Sequence, residues 1–165
     1  NRSKTLGGQL LLTPATPFTL TLNGMIGPER SNDGSDARSL FDGTAVWKVT
    51  DHVTLGANGD WGRERGAVVA GRLARWNGCA GYARATCGSR AFSLRAERFD
   101  DRDGARTGTA QRLMEFTLTP EARLAPRLLV RADLRVDRSN RAAFERRTGV
   151  TRTQPTVLLN VMYSF

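Results

Sequence analysis

The chain has 165 residues, 25 Lys+Arg against 16 Asp+Glu for a formal net charge of +9, a sequence pI near 11.1, one histidine and two cysteines. That length serves one domain with a real core, while a lone His52 is too little for a Ser-His-Asp centre and one His with two separated Cys falls short of a zinc ligand set. No stretch approaches the roughly 20 apolar residues of a membrane helix, which with a mean hydropathy of −0.40 excludes a helical membrane protein but not a β-barrel, whose strands need only every second residue to be apolar.

Only Lys4 and Lys48 are lysine, so the other 23 of the 25 cations are arginine. So basic a chain ordinarily suggests nucleic acid. Here, however, the arginines are dispersed and many alternate with apolar residues, which places them on one wall of a sheet rather than in a basic tail. The amino-terminal Asn1-Arg-Ser-Lys-Thr5 carries no signal peptide.

Nine β-like segments follow one another. Residues 7–13 and 18–27 come first, separated by Pro14-Ala-Thr-Pro17, where proline is tolerated because the ladder stops. A polar stretch, 28–38, leads to the third strand, 41–50. Asp51-His52 turns it into the fourth, 53–61. A longer loop leads to the fifth, about 72–86, and Gly88-Ser89 to the sixth, 91–99. The acidic loop 100–108 precedes the seventh, 112–121. Leu124-Ala-Pro126 joins this to the eighth, 127–137. A last long loop, 138–154, leads to the final strand. Connections thus alternate short and long, the asymmetry of an outer-membrane barrel with tight periplasmic turns and extended outer loops.

Period-two alternation recurs in these segments. Leu128, Val130, Ala132, Leu134 and Val136 share one face of the eighth, with Arg127, Arg131, Asp133, Arg135 and Asp137 on the other. Phe92, Leu94 and Ala96 oppose Arg95 and Glu97 in the sixth. The third sets Phe41, Ala45, Trp47 and Val49 against Asp42, Thr44 and Lys48. Periodicity cannot say which face is inside, since soluble barrels have apolar interiors. Mixed charge at mid-strand, loop asymmetry and the last strand together favour a polar lumen.

That last strand, Pro155-Thr-Val-Leu-Leu-Asn-Val-Met-Tyr-Ser-Phe165, places Val157, Leu159, Val161, Tyr163 and Phe165 on one apolar face ending in an aromatic. This is the pattern of a closing outer-membrane strand, and equally of a half-buried strand closing a soluble sandwich; on the first reading these five residues are the candidate signal for membrane assembly.

Trp76-Asn-Gly-Cys-Ala-Gly-Tyr82, Ser93-Leu-Arg-Ala-Glu-Arg-Phe-Asp-Asp101, Phe116-Thr-Leu-Thr119, Leu129-Val-Arg-Ala-Asp-Leu-Arg-Val-Asp-Arg-Ser-Asn140 and Thr156–Phe165 together resemble the carboxy-terminal part of the β-barrel porins of the second barrel-porin family. The resemblance covers about residues 18–165. Family members are longer, so it implies that residues 1–165 are a single domain forming the carboxy-terminal portion of a barrel. It implies a bacterial outer-membrane location, the lipid bilayer and the barrel-assembly machinery as partners, the latter through the last strand, and no catalytic residue or cofactor to carry over. The arginine load, Cys79 and Cys87 depart from type. The cysteines lie eight apart in one strand, roughly 27 Å at about 3.4 Å per residue, too far to pair.

The expected fold is therefore all-β, an antiparallel up-and-down meander of about nine strands within a transmembrane barrel. An odd number does not suit a complete single-chain barrel. The expected function is passive diffusion of small polar or anionic solutes, with Lys48, Arg95, Glu97, Arg127, Arg131, Asp133 and Arg135 lining the pore and their arginine excess favouring anions. A soluble basic module binding nucleic acid or another polyanion would instead gather arginines and stacking aromatics on one patch; Trp47, Trp61, Trp76, Tyr163 and Phe165 fall on lipid faces or near strand ends, so no nucleic-acid partner is expected. A non-conducting structural barrel is a third reading, and oligomeric state stays open. Asp100-Asp-Arg-Asp-Gly104 and Asn32-Asp-Gly-Ser-Asp36 have the oxygen-rich composition of calcium loops but lack the spacing and the bidentate Glu, so they read as ordinary acidic loops and no metal is expected.

Overall fold

The structure, a computed structural model, describes residues 3–30 and 34–165. Asn1 and Arg2 of the amino-terminal stretch, and Asn32 and Asp33 of the second acidic motif, lie outside the described residues. Those described contain no helix. They form eleven strands: β1 (Leu6–Ala15), β2 (Phe18–Pro28), β3 (Ala37–Lys48), β4 (Val53–Arg65), β5 (Leu73–Cys87), β6 (Arg90–Asp101), β7 (Gln111–Ala125), β8 (Leu128–Ser139), β9 (Phe144–Arg146), β10 (Gly149–Thr151) and β11 (Thr153–Tyr163).

Nine of them make one antiparallel meander in the order β1-β2-β3-β4-β5-β6-β7-β8-β11. The expected all-β architecture is the one observed. β1 and β11 are the two edges of this sheet. The two extra strands, β9 and β10, pair only with each other, inside the last long connection. At three residues each they are too short for alternation to register.

Several strands run further toward the long loops than the apolar pattern reaches. β4 continues through Arg63-Glu64-Arg65, and β6 through Asp100-Asp101. Alternation persists in these extensions, but both faces are polar, so hydrophobic periodicity stops before the ladder does. The tight turns form where expected; Gly88 takes φ 56° in the two-residue Gly88-Ser89 link, a left-handed conformation that side chains disfavour. Between β7 and β8 no backbone pairing spans Thr119 and Pro120. Proline has no N–H to donate, and the Thr119 hydroxyl instead donates to Asp133 Oδ1 at 2.6 Å.

Burial along the strands is inverted relative to a soluble sheet. Glu115 is 8% exposed, whereas its neighbours Met114 and Phe116 are 56% and 52% exposed. The same holds on β6, where Phe92, Leu94 and Ala96 are exposed while Ser93, Arg95 and Glu97 are partly buried. Cross-strand register keeps each set on its own face from strand to strand: Ala96 opposes Phe116, Phe116 opposes Val136, Glu97 opposes Glu115 and Glu115 opposes Asp137. The polar face is the sheltered one, and the apolar face is turned outward.

Candidate functional site: the charged concave wall

Residues from β3 to β11, among them Thr44, Thr54, Tyr82, Arg84, Glu115 and Leu158, line one hollow of about 530 Å³ on the polar face. Side chains on this face converge enough to reach over an intervening strand: Arg84 on β5 meets Glu121 on β7 at 2.7 Å, passing β6, where it also donates to Ser93 Oγ at 3.1 Å. Strands in a sheet lie about 4.8 Å apart, so such a bridge spans nearly 10 Å and joins three strands.

Glu115 is the centre of the network. Its Oε1 accepts from Arg95 Nη1 at 2.6 Å and from the Thr117 hydroxyl at 2.8 Å, and its Oε2 lies 3.0 Å from Arg135 Nη2. Arg135 also forks onto Asp137, with Nε and Nη2 donating at 2.8 and 2.7 Å. Arg95 pairs in addition with Glu97 and lies over the Tyr82 ring at 5.8 Å from its centroid. A nearly buried carboxylate between two arginines is the arrangement that low-dielectric surroundings require of charge.

Of the residues singled out from sequence, all but Arg127 have the parity of this face. Arg95, Glu97, Arg131, Asp133 and Arg135 lie mid-strand on the polar wall. Lys48 is the last residue of β3 and Arg127 stands in the link before β8, both exposed at the short-turn end. Asp133 accepts from Thr119 and, at 3.5 Å, from Asn160 Nδ2. Arg131 has a buried Nε without a hydrogen-bond partner.

The expected excess of positive charge is not on this face. Among the described strand residues, its cations are Arg38, Lys48, Arg84, Arg95, Arg123, Arg131 and Arg135. Its carboxylates are Asp42, Asp60, Glu64, Glu97, Asp101, Glu115, Glu121, Asp133 and Asp137, two more than the cations. Glu115 and Glu121 were legible from the alternation of β7, where Glu115, Thr117, Thr119 and Glu121 interleave with Met114, Phe116 and Leu118. Asp42 and Asp60 are cross-strand partners; Asp42 Oδ1 accepts from Asn23 Nδ2 at 2.7 Å, and Asn23 Oδ1 accepts from Gln9 Nε2 at 2.8 Å.

Toward the long loops the wall is packed. Trp76 is 3% exposed and sits on the polar face, a position that its nearness to a strand end did not reveal. It lies against Gly62, where an added Cβ would come within 2.1–2.3 Å of the indole. Arg106, in the loop between β6 and β7, covers its ring at 5.4 Å. Asp101 fixes that loop: its Oδ2 accepts from the Arg106 and Thr107 amides at 2.9 and 2.7 Å and from the Thr107 hydroxyl at 2.9 Å. Asp103 accepts from the Arg75 amide at 2.8 Å. These carboxylates thus serve the loop backbone, and among the described residues there is no cluster of three metal-ligating side chains.

On the opposite face Val157, Leu159, Val161, Tyr163 and Phe165 are all exposed, with Val161 opposite Val130 and Tyr163 opposite Leu128. Cys79 and Cys87 are free and exposed on that same outward face.

An antiparallel meander with alternating tight and long connections, an exposed apolar face and a sheltered charged face defines the wall of an outer-membrane-type β-barrel. The chain belongs to the family described as "Putative beta-barrel porin-2, OmpL-like", whose pattern matches residues 1–165. Among solved structures it is similar to the "Anion-selective porin from Comamonas acidovorans", at 14% sequence identity and a TM-score of 0.77. That match covers 98% of this chain and 49% of the porin, so the chain spans about half that porin's length. No curated protein sequence matches it.

Proposed function

We propose that this sheet is one part of a closed outer-membrane barrel through which small polar solutes diffuse passively. The observation that carries the reading is the inverted burial, with Glu115 sheltered between the exposed Met114 and Phe116. A soluble polyanion-binding module would leave that apolar face in water, at the cost of aggregation. The free edges of β1 and β11 support the larger barrel, because backbone groups in hydrocarbon must all be paired. Porin-family membership supports the outer-membrane location and a non-enzymatic role. We read Val157, Leu159, Val161, Tyr163 and Phe165 as both lipid-facing surface and the segment offered to the assembly machinery.

Arg95, Glu97, Arg131, Asp133 and Arg135 are the residues we assign to the solute path, with Lys48 and Arg127 at its short-turn mouth. To them we add Arg84, Glu115 and Glu121. An anion preference does not follow from this wall, because its arginines are largely tied to carboxylates. It favours small polar solutes with weak charge discrimination. The test is single-channel conductance of the full-length protein in planar bilayers. Discrete ohmic steps are expected; a folded, inserted protein that does not conduct would leave a structural barrel in place of a channel.

A further inference from the structure

The outward face is not uniform. On the long-loop side its apolar band ends in arginines on five successive strands: Arg63 and Arg65 on β4, Arg75 on β5, Arg98 on β6, Arg112 on β7 and Arg138 on β8. All six are exposed, and their parity matches Trp61, Cys79, Phe116 and Val136 rather than the concave wall. Among the described strand residues Asp100 is the one carboxylate on this face, and it meets Arg98 at 3.5 Å and Arg112 at 3.0 Å. Arg63 lies over the Trp61 ring at 5.3 Å, and Arg65 donates to the Gly71 carbonyl at 3.0 Å. The Arg75 and Arg138 side chains have no ion-pair partner among the described residues. Within the strands, the short-turn border of this face carries Arg90 as its one charge.

Two features ask for an external anion. Arg63 and Arg75 are direct cross-strand partners, and like charges set opposite each other on a sheet repel. No acid on this face stands between them. The row also crosses five strands, which at about 4.8 Å spacing extends roughly 20 Å, more than a single small anion spans. Directly beside it lies the apolar band with Phe41 and Trp61, an aromatic pair of the kind that marks a membrane interface. A ligand that satisfies both carries phosphate at one end and acyl chains at the other.

We propose that this arginine border binds the phosphate groups of phosphorylated lipid in the leaflet beside the long loops. The inference rests on the outer-membrane reading above. Planar guanidinium groups match phosphate oxygens two at a time, and arginine is tolerated on a lipid-facing surface near the interface but not at the midplane. The border therefore fixes the height of the barrel in the membrane and recruits a ring of lipid around its outer rim.

The test uses the full-length protein in detergent micelles, titrated with bis-phosphorylated lipid A and with the same lipid after enzymatic dephosphorylation. Retained lipid is counted by native mass spectrometry. Wild type is expected to retain the phosphorylated form, with about tenfold weaker retention when Arg63, Arg75, Arg98, Arg112 and Arg138 are all changed to Gln, and no change for Arg90→Gln. The milder Arg63→Gln with Arg75→Gln should give part of the loss. Equal retention of both lipids, or by wild type and the five-fold variant, overturns the inference. So does full displacement by millimolar inorganic phosphate, which would mark a free-phosphate site. Conductance of the same samples separates the two readings: channels that conduct without lipid preference sink this inference alone, whereas a wild type that neither inserts nor conducts sinks the porin reading with it.

Discussion

Glu115 stands directly opposite Asp137 in the β7–β8 register, and Arg135 bridges the two carboxylates, 3.0 Å from one and 2.7 Å from the other. Two acids facing each other on a sheet would repel. Here the pair is held by an arginine two residues along the strand, and Glu115 is held by Arg95 on the far side. On this wall Arg38, Arg84, Arg95 and Arg135 are each restrained by carboxylates, and its behaviour under mutation follows from which partner is removed.

Removing Glu115 takes one carboxylate from two cations at once, leaving Arg95 with Glu97 and Arg135 with Asp137. Glu115→Gln is expected to shift the reversal potential of the full-length channel across a salt gradient toward anions, because Arg95 and Arg135 lose a shared partner in a narrow, low-dielectric passage where fields are focused. An unchanged reversal potential would mean that this network lies off the conducting path.

The opposite shift is expected from Arg131→Glu with Arg135→Glu. Arg131 has a buried Nε without a partner, so of the two inner-face arginines of β8 it is the less compensated, Arg135 being paired with Glu115 and Asp137. The double change should move selectivity toward cations and lower the flux of small organic anions. Should chloride and potassium permeate in the same ratio as in wild type, the assignment of β8 to the pore fails.

Register on β11 predicts an asymmetric pair. Val161 opposes Val130 on the outward face, and Asn160 reaches Asp133 on the inner one. Val161→Arg should impair membrane assembly, since arginine facing lipid costs about 2–4 kcal/mol at midplane depth and less near the interface. Asn160→Arg should be mild, with Asp133 available as a partner. Heat-modifiability on gels or liposome insertion reads both; equal effects would refute the face assignment.

Gly62 and Trp76 should prove inseparable. An added Cβ at 62 collides with the indole, so Gly62→Ala is expected to destabilise by about 1–3 kcal/mol, the usual range for overpacking. Trp76→Ala alone should also destabilise, but the double variant should be more stable than the sum of the two losses implies. The temperature of the folded-to-unfolded mobility shift measures this, and strict additivity would contradict the contact.

The loop over the outer end depends on Asp101. Asp101→Ala removes three acceptor contacts, each worth about 0.5–1.5 kcal/mol or somewhat more to a charged group, and should open the segment 102–110 to trypsin at Arg102 and Arg106. Wild-type protection at the same protease dose is the control. If both cleave alike, Asp101 does not fix the loop.

The amino-acid order alone determined the strands, their period-two faces, the alternation of short and long connections and the apolar strand at the end, because these depend on local alternation and turn chemistry that neighbouring residues carry. It also marked Arg95, Glu97, Arg131, Asp133 and Arg135 as sharing a polar face. What it could not decide was which face is sheltered, since alternation reads the same for a lipocalin-like barrel and for a membrane barrel. Only the curvature of the whole sheet settles that, by burying Glu115 and exposing Phe116. Charge balance likewise needed the register: Arg84 finds Glu121 across a strand, and Asp42 meets Asp60, so carboxylates distant in the chain accumulate on the inner wall. The arginine excess, assigned to the lumen from the alternating row of Lys48, Arg95, Arg127, Arg131 and Arg135, lies instead on the outward rim, because strands that extend past their apolar residues carry Arg63, Arg75, Arg98, Arg112 and Arg138 on the outward parity.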